Sequence, residues 1–256
     1  MSIPLQPLCV ADDRTFWPWL TWTDFVLERS RAADTTVVIP LAGFADWGLG
    51  HAYDAEEQVL TAVLRDALQL RPASPRLLML PPLRFVTGHD AGCVCAVDPS
   101  LAHAFIDEIV ASVAVAGFTR IVLCNASPWN EELIDAAARD IRIARGLQMF
   151  CVNLGALDLD FHPTRSLSRR RLQTLLTYLT GRTPEEPVTP VELPDATLRD
   201  ETVRPLPGPA ASAADAATEG PVILAEAARH LASLLGEITA HPRLPREGAI
   251  ALRTYP

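Results

Sequence analysis

Apolar residues along the chain fall into two alternating kinds of segment. Short runs such as Thr35–Leu41, Arg76–Leu80, Arg120–Cys124 and Met149–Asn153 are rich in valine, isoleucine and leucine, and most are bounded by proline or glycine. That is the pattern of strands buried on both faces. Between them lie longer stretches in which apolar residues recur every three or four positions, which predicts helices over 54–70, 98–116, 131–145, 167–180 and 221–239. Asp54 with Glu57 reads as a capping box, Asp98-Pro99-Ser100 as a second helix start, and Gly117 and Gly146 as stops. Residues 93–97 predict one further short strand.

Strands alternating with amphipathic helices predict an α/β layered domain with a largely parallel sheet. Ligands gather at the C-terminal ends of such strands. Here those ends run from Leu41 to Asp54, Pro81 to His89 and Asn125 to Asn130. Residues 182–210 hold seven prolines among acidic and threonine residues, which predicts an extended loop or lid. There is no internal repeat, so 1–256 reads as a single domain that includes this loop.

Charge narrows the chemistry. All 22 cationic side chains are arginine, against 31 carboxylates, for a formal net charge of -9. Without lysine there is no Schiff base and no lysine-bearing phosphate loop. The acidic balance argues against a nucleic-acid face. No apolar run is long enough to span a membrane, and the first residues lack the basic start and apolar core of an export signal. Five cysteines without a zinc spacing fit packing residues of a reduced, cytoplasmic protein.

Several polar residues at the strand ends are candidates for chemistry. Asp46 lies in a Trp/Gly loop beside a strand end, a usual position for a working carboxylate. Asp54 reads either as a ligand or as a plain helix cap. His51 and His89 read as acid or base groups or as pocket walls. Ser127 lacks the Gly-x-Ser-x-Gly elbow, which argues against a serine nucleophile. Trp17, Trp19 and Trp22 read as an anchor into a core or a subunit interface, and Arg169-Arg170-Arg171 as an ionic contact between subunits.

Read in order, three strand ends resemble the creatininase (creatinine amidohydrolase) family. The segments are Pro40-Leu41-Ala42-Gly43-Phe44-Ala45-Asp46-Trp47-Gly48-Leu49-Gly50-His51-Ala52-Tyr53-Asp54, Leu80-Pro81-Pro82-Leu83-Arg84-Phe85 with Gly88-His89, and Asn125-Ala126-Ser127-Pro128-Trp129-Asn130. Leu20-Thr21-Trp22 is similar to the family's N-terminal Leu-Thr-Trp. The resemblance implies a creatininase-like α/β/α fold, oligomers, and a two-metal centre that activates water against an amide.

Carried over residue by residue, the resemblance places metal ligands on Asp46 and Asp54 and matches His51 to the second histidine of the first loop. Other ligand positions fall on Gly48, Ser127 and, within His162-Pro163-Thr164-Arg165, on Arg165. Glycine, serine and arginine are poor or impossible ligands. The expectation is therefore a degenerate site with no cofactor. Asp46, His51, Asp54, Ser127, His162 and Arg165 would line the remnant pocket, with Arg165 paired to Asp46 or Asp54. On this reading the chain is a non-catalytic or accessory subunit, or a small-ligand binder. It would form a homo-oligomer, or a hetero-oligomer with an active homologue. The alternative is an amidohydrolase with a rebuilt site, in which Asp46, His51, Asp54 and His162 hold one divalent zinc or manganese and a C–N bond of a small cyclic or formyl-type amide is cleaved.

Overall fold

The computed structural model describes residues 16–17, 20–45, 52–72, 76–87, 93, 96–162, 166–181 and 212–243, with backbone alone at a few positions in the first and fifth helices. Five strands form its sheet: β1 (Thr36–Ala42), β2 (Leu77–Met79), β3 (Leu83–Arg84), β4 (Arg120–Asn125) and β5 (Gln148–Asn153). All strand pairs are parallel, in the order β2-β1-β4-β5, with β3 also on β1. The helices are α1 (Trp22–Arg29), α2 (Ala55–Gln69), α3 (Pro99–Val115), α4 (Glu131–Arg145), α5 (Ser166–Thr180) and α6 (Ala213–Ala240).

The two-residue period of the strands sorts the core into two halves. On β1 and β4, Val37, Ile39, Leu41, Ile121 and Leu123 point to one face. There they meet Ile106 and Val110 of α3 and Ile134 and Ile141 of α4. Val38, Ala42, Val122 and Cys124 point to the other face, against α2, α5 and α6 through residues such as Val59, Val63, Leu175, Leu224 and Leu231. The result is the expected α/β/α layering. Among the described residues no helix is long and apolar enough to cross a membrane.

Pro40 sits inside a strand paired on both sides, where proline is normally excluded. Val38 O accepts Leu80 N and Ala42 O accepts Phe85 N, whereas Leu41 O accepts Ala126 N. Alternation therefore turns the Pro40 nitrogen toward the break between β2 and β3, where no strand needs its missing N–H.

Most predicted elements are present within a residue or two at their ends. Three differ. The predicted strand over 93–97 is reduced, among its described residues, to single bridges, Cys93 with Ala45 and Ala96 with Val86. A strand of two residues, β3, follows Pro82 where only a loop was predicted, because it pairs with the free end of β1. Helix α6 begins at Ala213, well before Pro221. Ser212 and Asp215 form a reciprocal capping box there, and the alanine-rich stretch before Pro221 is helix, in line with alanine's propensity.

Two surface readings also change. Trp17 packs edge-on against Phe118 at 5.3 Å, in the chain's own core, while the side chains of Trp19 and Trp22 lie outside the described residues. Arg171 pairs with Glu226 at 2.6 Å and Arg170 with Glu219 at 3.7 Å, so these two arginines bind α5 to α6 within the chain, while the Arg169 side chain lies outside the described residues. The 182–210 loop also lies outside the described residues.

Candidate functional site

After β1 the chain steps outward to β2, then returns past β1 to lay down β4 and β5 on the other side. The connections therefore diverge between the C-terminal ends of β1 and β4, the topological switch point where open α/β sheets bind ligands. Gly43 leaves β1 at this point and Ser127 follows β4.

Three groups crowd together here. Gly43 N donates to Glu56 Oε2 at 2.6 Å, and Glu56 is fully buried in the first turn of α2. A Cβ on Gly43 would lie 2.9 Å from Ser127 Oγ and 3.0 Å from Glu56 Oε2, so only glycine permits this approach. Ser127 is itself fully buried, and its hydroxyl has no hydrogen-bond partner among the described residues.

The turn after β4 is held by asparagines. Asn125 Oδ1 accepts Ser127 N at 3.1 Å, while Asn125 Nδ2 donates to Ser127 O at 2.7 Å and to Asn153 Oδ1 at 2.9 Å. Asn130, also fully buried, donates to Phe85 O at 2.8 Å and accepts Thr87 N at 3.0 Å. Thr87 Oγ1 donates to Trp129 O at 2.8 Å. The segment after β3 is thus tied to the segment after β4. The Trp129 ring lies 5.6 Å from the imidazole of His162, and the backbone N–H of His162 donates to Asp160 Oδ1 at 2.8 Å. Directly below this turn, burial pushes the Cys124 thiol up to about 12, which removes it as a thiolate nucleophile.

At the start of α2 the carboxylates behave unlike a capping box. Asp54 occupies the N-cap position, yet its side chain makes no capping hydrogen bond and instead accepts Gln58 Nε2 through Oδ1 at 2.6 Å. Glu57 does not reach back to Asp54. It is buried and takes Arg84 in a bidentate pair, with Nε to Oε2 at 2.5 Å and Nη2 to Oε1 at 2.7 Å. That pair, with Asp54 close enough to add to the field, holds the Arg84 guanidinium above its ordinary pKa. The capping-box expectation fails because β3 pairing delivers a cation beside Glu57, and an ion pair outcompetes a bond to one backbone N–H.

Of the site residues named from sequence, Asp54, Ser127 and His162 are described. Asp46, His51, His89 and Arg165 lie outside the described residues, and with them the proposed Arg165 pairing. Among the described residues no three histidine, cysteine or carboxylate side chains gather as a metal-binding group. Sequence reasoning missed Glu56, Arg84, Asn130 and Thr87. Two glutamates in a helix's first turn look like solvated partners of the dipole, and only tertiary packing reveals that both are buried.

The profile of the family described as "Creatininase: Creatinine amidohydrolase" matches residues 19–182. The chain belongs to the creatininase family. Three similar solved structures are a crystal structure of creatinine amidohydrolase (creatininase), a mutant creatininase of Zn-Zn type, and a structure described as Creatininase Mn. They are 19%, 19% and 18% identical to this chain, each covering 89% of it and 99% of their own length, at a TM-score of 0.60. At that identity they establish the creatininase fold. No curated protein matches the chain in sequence.

These structures overturn the expectation that no cofactor is involved, because proteins with this fold are described in Zn-Zn and Mn forms. The expectation rested on counting replaced ligands. It gave too little weight to what remains, two carboxylates (Asp46 and Asp54) and two imidazoles (His51 and His162), which as donors suit one divalent ion.

Proposed function

We propose that this creatininase-family chain is a metal-dependent amidohydrolase that cleaves a C–N bond in a small cyclic or formyl-type amide, within one domain spanning 1–256. The observation that carries this reading is Asp54. A carboxylate at a helix N-cap that leaves the cap unmade, and is instead oriented by Gln58, is spare for chemistry at the switch point. Asp46, His51 and His162 complete the donor set.

A divalent ion bound there would supply Lewis acidity toward the amide carbonyl and would acidify water. The chain's own residues would do the rest. Gln58 fixes the plane of the Asp54 carboxylate. Trp129 packs against the His162 ring and limits its rotation. That leaves the His162 imidazole oriented as a donor to the ion. Asn125 and Asn130 hold the turn between them rigid, so the apolar face of Trp129 can exclude water from one wall.

A second reading has its own observation. The resemblance puts a ligating histidine where Ser127 stands, and the Ser127 hydroxyl is buried without a partner among the described residues. This supports a family member that has lost hydrolysis and serves as an accessory or ligand-binding subunit. In either case we propose self-association, or association with an active homologue, supported by Leu101, Phe105 and Val115, which α3 leaves exposed on one side.

The test is metal analysis of protein purified without chelator, followed by assay against hydantoins, lactams, creatinine and formyl amides. Stoichiometric zinc or manganese with turnover lost in Asp54→Asn supports the hydrolase. Folded protein that turns over no amide in any metal rejects it in favour of the second reading.

A further inference from the structure

We infer that Glu56 is the positioning residue of this site, the group that fixes Asp54 relative to the sheet. The inference rests on the proposed function for its consequence, though not for its geometry. A glutamate in a helix's first turn gains from the dipole while still facing water, so full burial needs another cause. Burying a carboxylate costs several kcal/mol unless charge-assisted bonds offset it. Here the short bond from Gly43 N supplies one, across 13 residues of sequence.

That bond joins the exit of β1 to the first turn of α2, so the segment between begins and ends on one carboxylate. Glu57, next along, binds the same turn to β3 through Arg84. Two successive glutamates thereby pin the helix start to two strands. Asp54, immediately before the turn, has its place set by both. Ser127 Oγ and Val86 Cβ, 2.9 and 3.2 Å from the point a Gly43 Cβ would occupy, close the space around the Gly43–Glu56 bond. The backbone at Gly43 therefore cannot drift while Glu56 holds.

Hydrogen exchange on the full chain, read by mass spectrometry well below each melting temperature, tests this with wild type, Glu56→Gln and Glu56→Ala. Glu56→Ala should speed exchange about tenfold in peptides over the β1 exit and the α2 start, while α3 and α4 peptides keep their rates. Glu56→Gln retains an acceptor for Gly43 N and should restore most of the protection. Manganese titrated by calorimetry should bind Glu56→Ala about tenfold or more weakly, with Glu56→Gln close to wild type. Unchanged exchange, or acceleration throughout the molecule, overturns the inference. So does unchanged manganese affinity in Glu56→Ala. A wild type that binds neither manganese nor zinc rejects the proposed hydrolase, and the exchange pattern alone then decides the role of Glu56. Should Glu56→Ala not fold, Glu56→Asp, which withdraws the acceptor by one methylene, takes its place.

Discussion

Arg120, the first residue of β4, donates through Nη1 to the carbonyl of Thr239 at 2.6 Å, across 119 residues of sequence. Nη2 donates to His241 O at 2.6 Å and Nε to Gln148 Oε1 at 3.2 Å, and the side chain is buried. One guanidinium thus satisfies carbonyls at the C-terminus of α6 while holding β4 beside β5. Burial pushes its pKa down, but arginine remains charged at any ordinary pH. Arginine is required at this position, since a three-way planar fork cannot be copied by an ammonium.

Arg120→Lys should therefore destabilise the protein by about 2–3 kcal/mol, since at least one carbonyl at the helix end is left unpaired in a dry setting. Urea unfolding checks it. A loss no larger than that of an exposed Arg→Lys change would mean that water replaces the lost donors.

Two glycines of α6 should respond to the same substitution with opposite signs. A Cβ at Gly220 would lie 2.3 Å from Tyr178 Cβ, at the crossing of α5 and α6. Neither atom can swing away, so Gly220→Ala should cost about 1–3 kcal/mol through overpacking. Gly236 has nothing among the described residues within 4 Å of its Cβ position. Gly236→Ala should stabilise by about 0.5–1 kcal/mol through helix propensity. Thermal or urea unfolding of the two variants side by side reads the difference.

The same helix shows what the sequence could and could not disclose. Its second half is legible as a stripe of leucine and alanine, because burial against α2 and α5 imposes the period. Its first half is not, since Ala213 to Ala217 would suit a linker as well as a helix and Pro221 reads as a first-turn residue. At the site, the strand ends carrying Gly43 and Ser127 are legible from strand-then-glycine and strand-then-proline punctuation. The burial of Glu56 and Glu57 is not, because it depends on Arg84 and Gly43 arriving from other strands. Counting ligand positions one by one was a poor guide to cofactor chemistry, because a site can change its donors without losing its charge.

Acid should weaken the contact between α3 and α4. Arg145 donates to Asp107 through Nε at 2.6 Å and Nη2 at 2.8 Å, and this pairing holds the Asp107 carboxyl below its ordinary pKa. A depressed folded-state pKa gives stability that is present above the unfolded value, near 3.9, and lost as pH falls through the folded one. Asp107→Asn should thus flatten the acid limb of the stability curve while costing less than about 1 kcal/mol at pH 7, because the pair is partly exposed. Urea midpoints from pH 7 down to pH 3 measure it, and an unchanged acid limb would remove Asp107 as a cause.

Asp54 and Asp98 stand at equivalent positions, each just before a helix, and from sequence either could cap. Asp98 Oδ1 accepts Ser100 N at 2.8 Å, and that side chain is a working cap. Asp54 makes no such bond. Asp98→Ala should therefore cost about 1 kcal/mol with no change in metal content or activity. Asp54→Ala should stay within about 0.5 kcal/mol of wild type, since the Gln58 bond is half-exposed and surface changes are small. Its effect should fall instead on bound metal and on turnover. Unfolding, metal analysis and amide hydrolysis on the two variants give a crossed result if Asp54 serves the site. Equal stability losses with unchanged metal content would return Asp54 to the structural role its position first suggests.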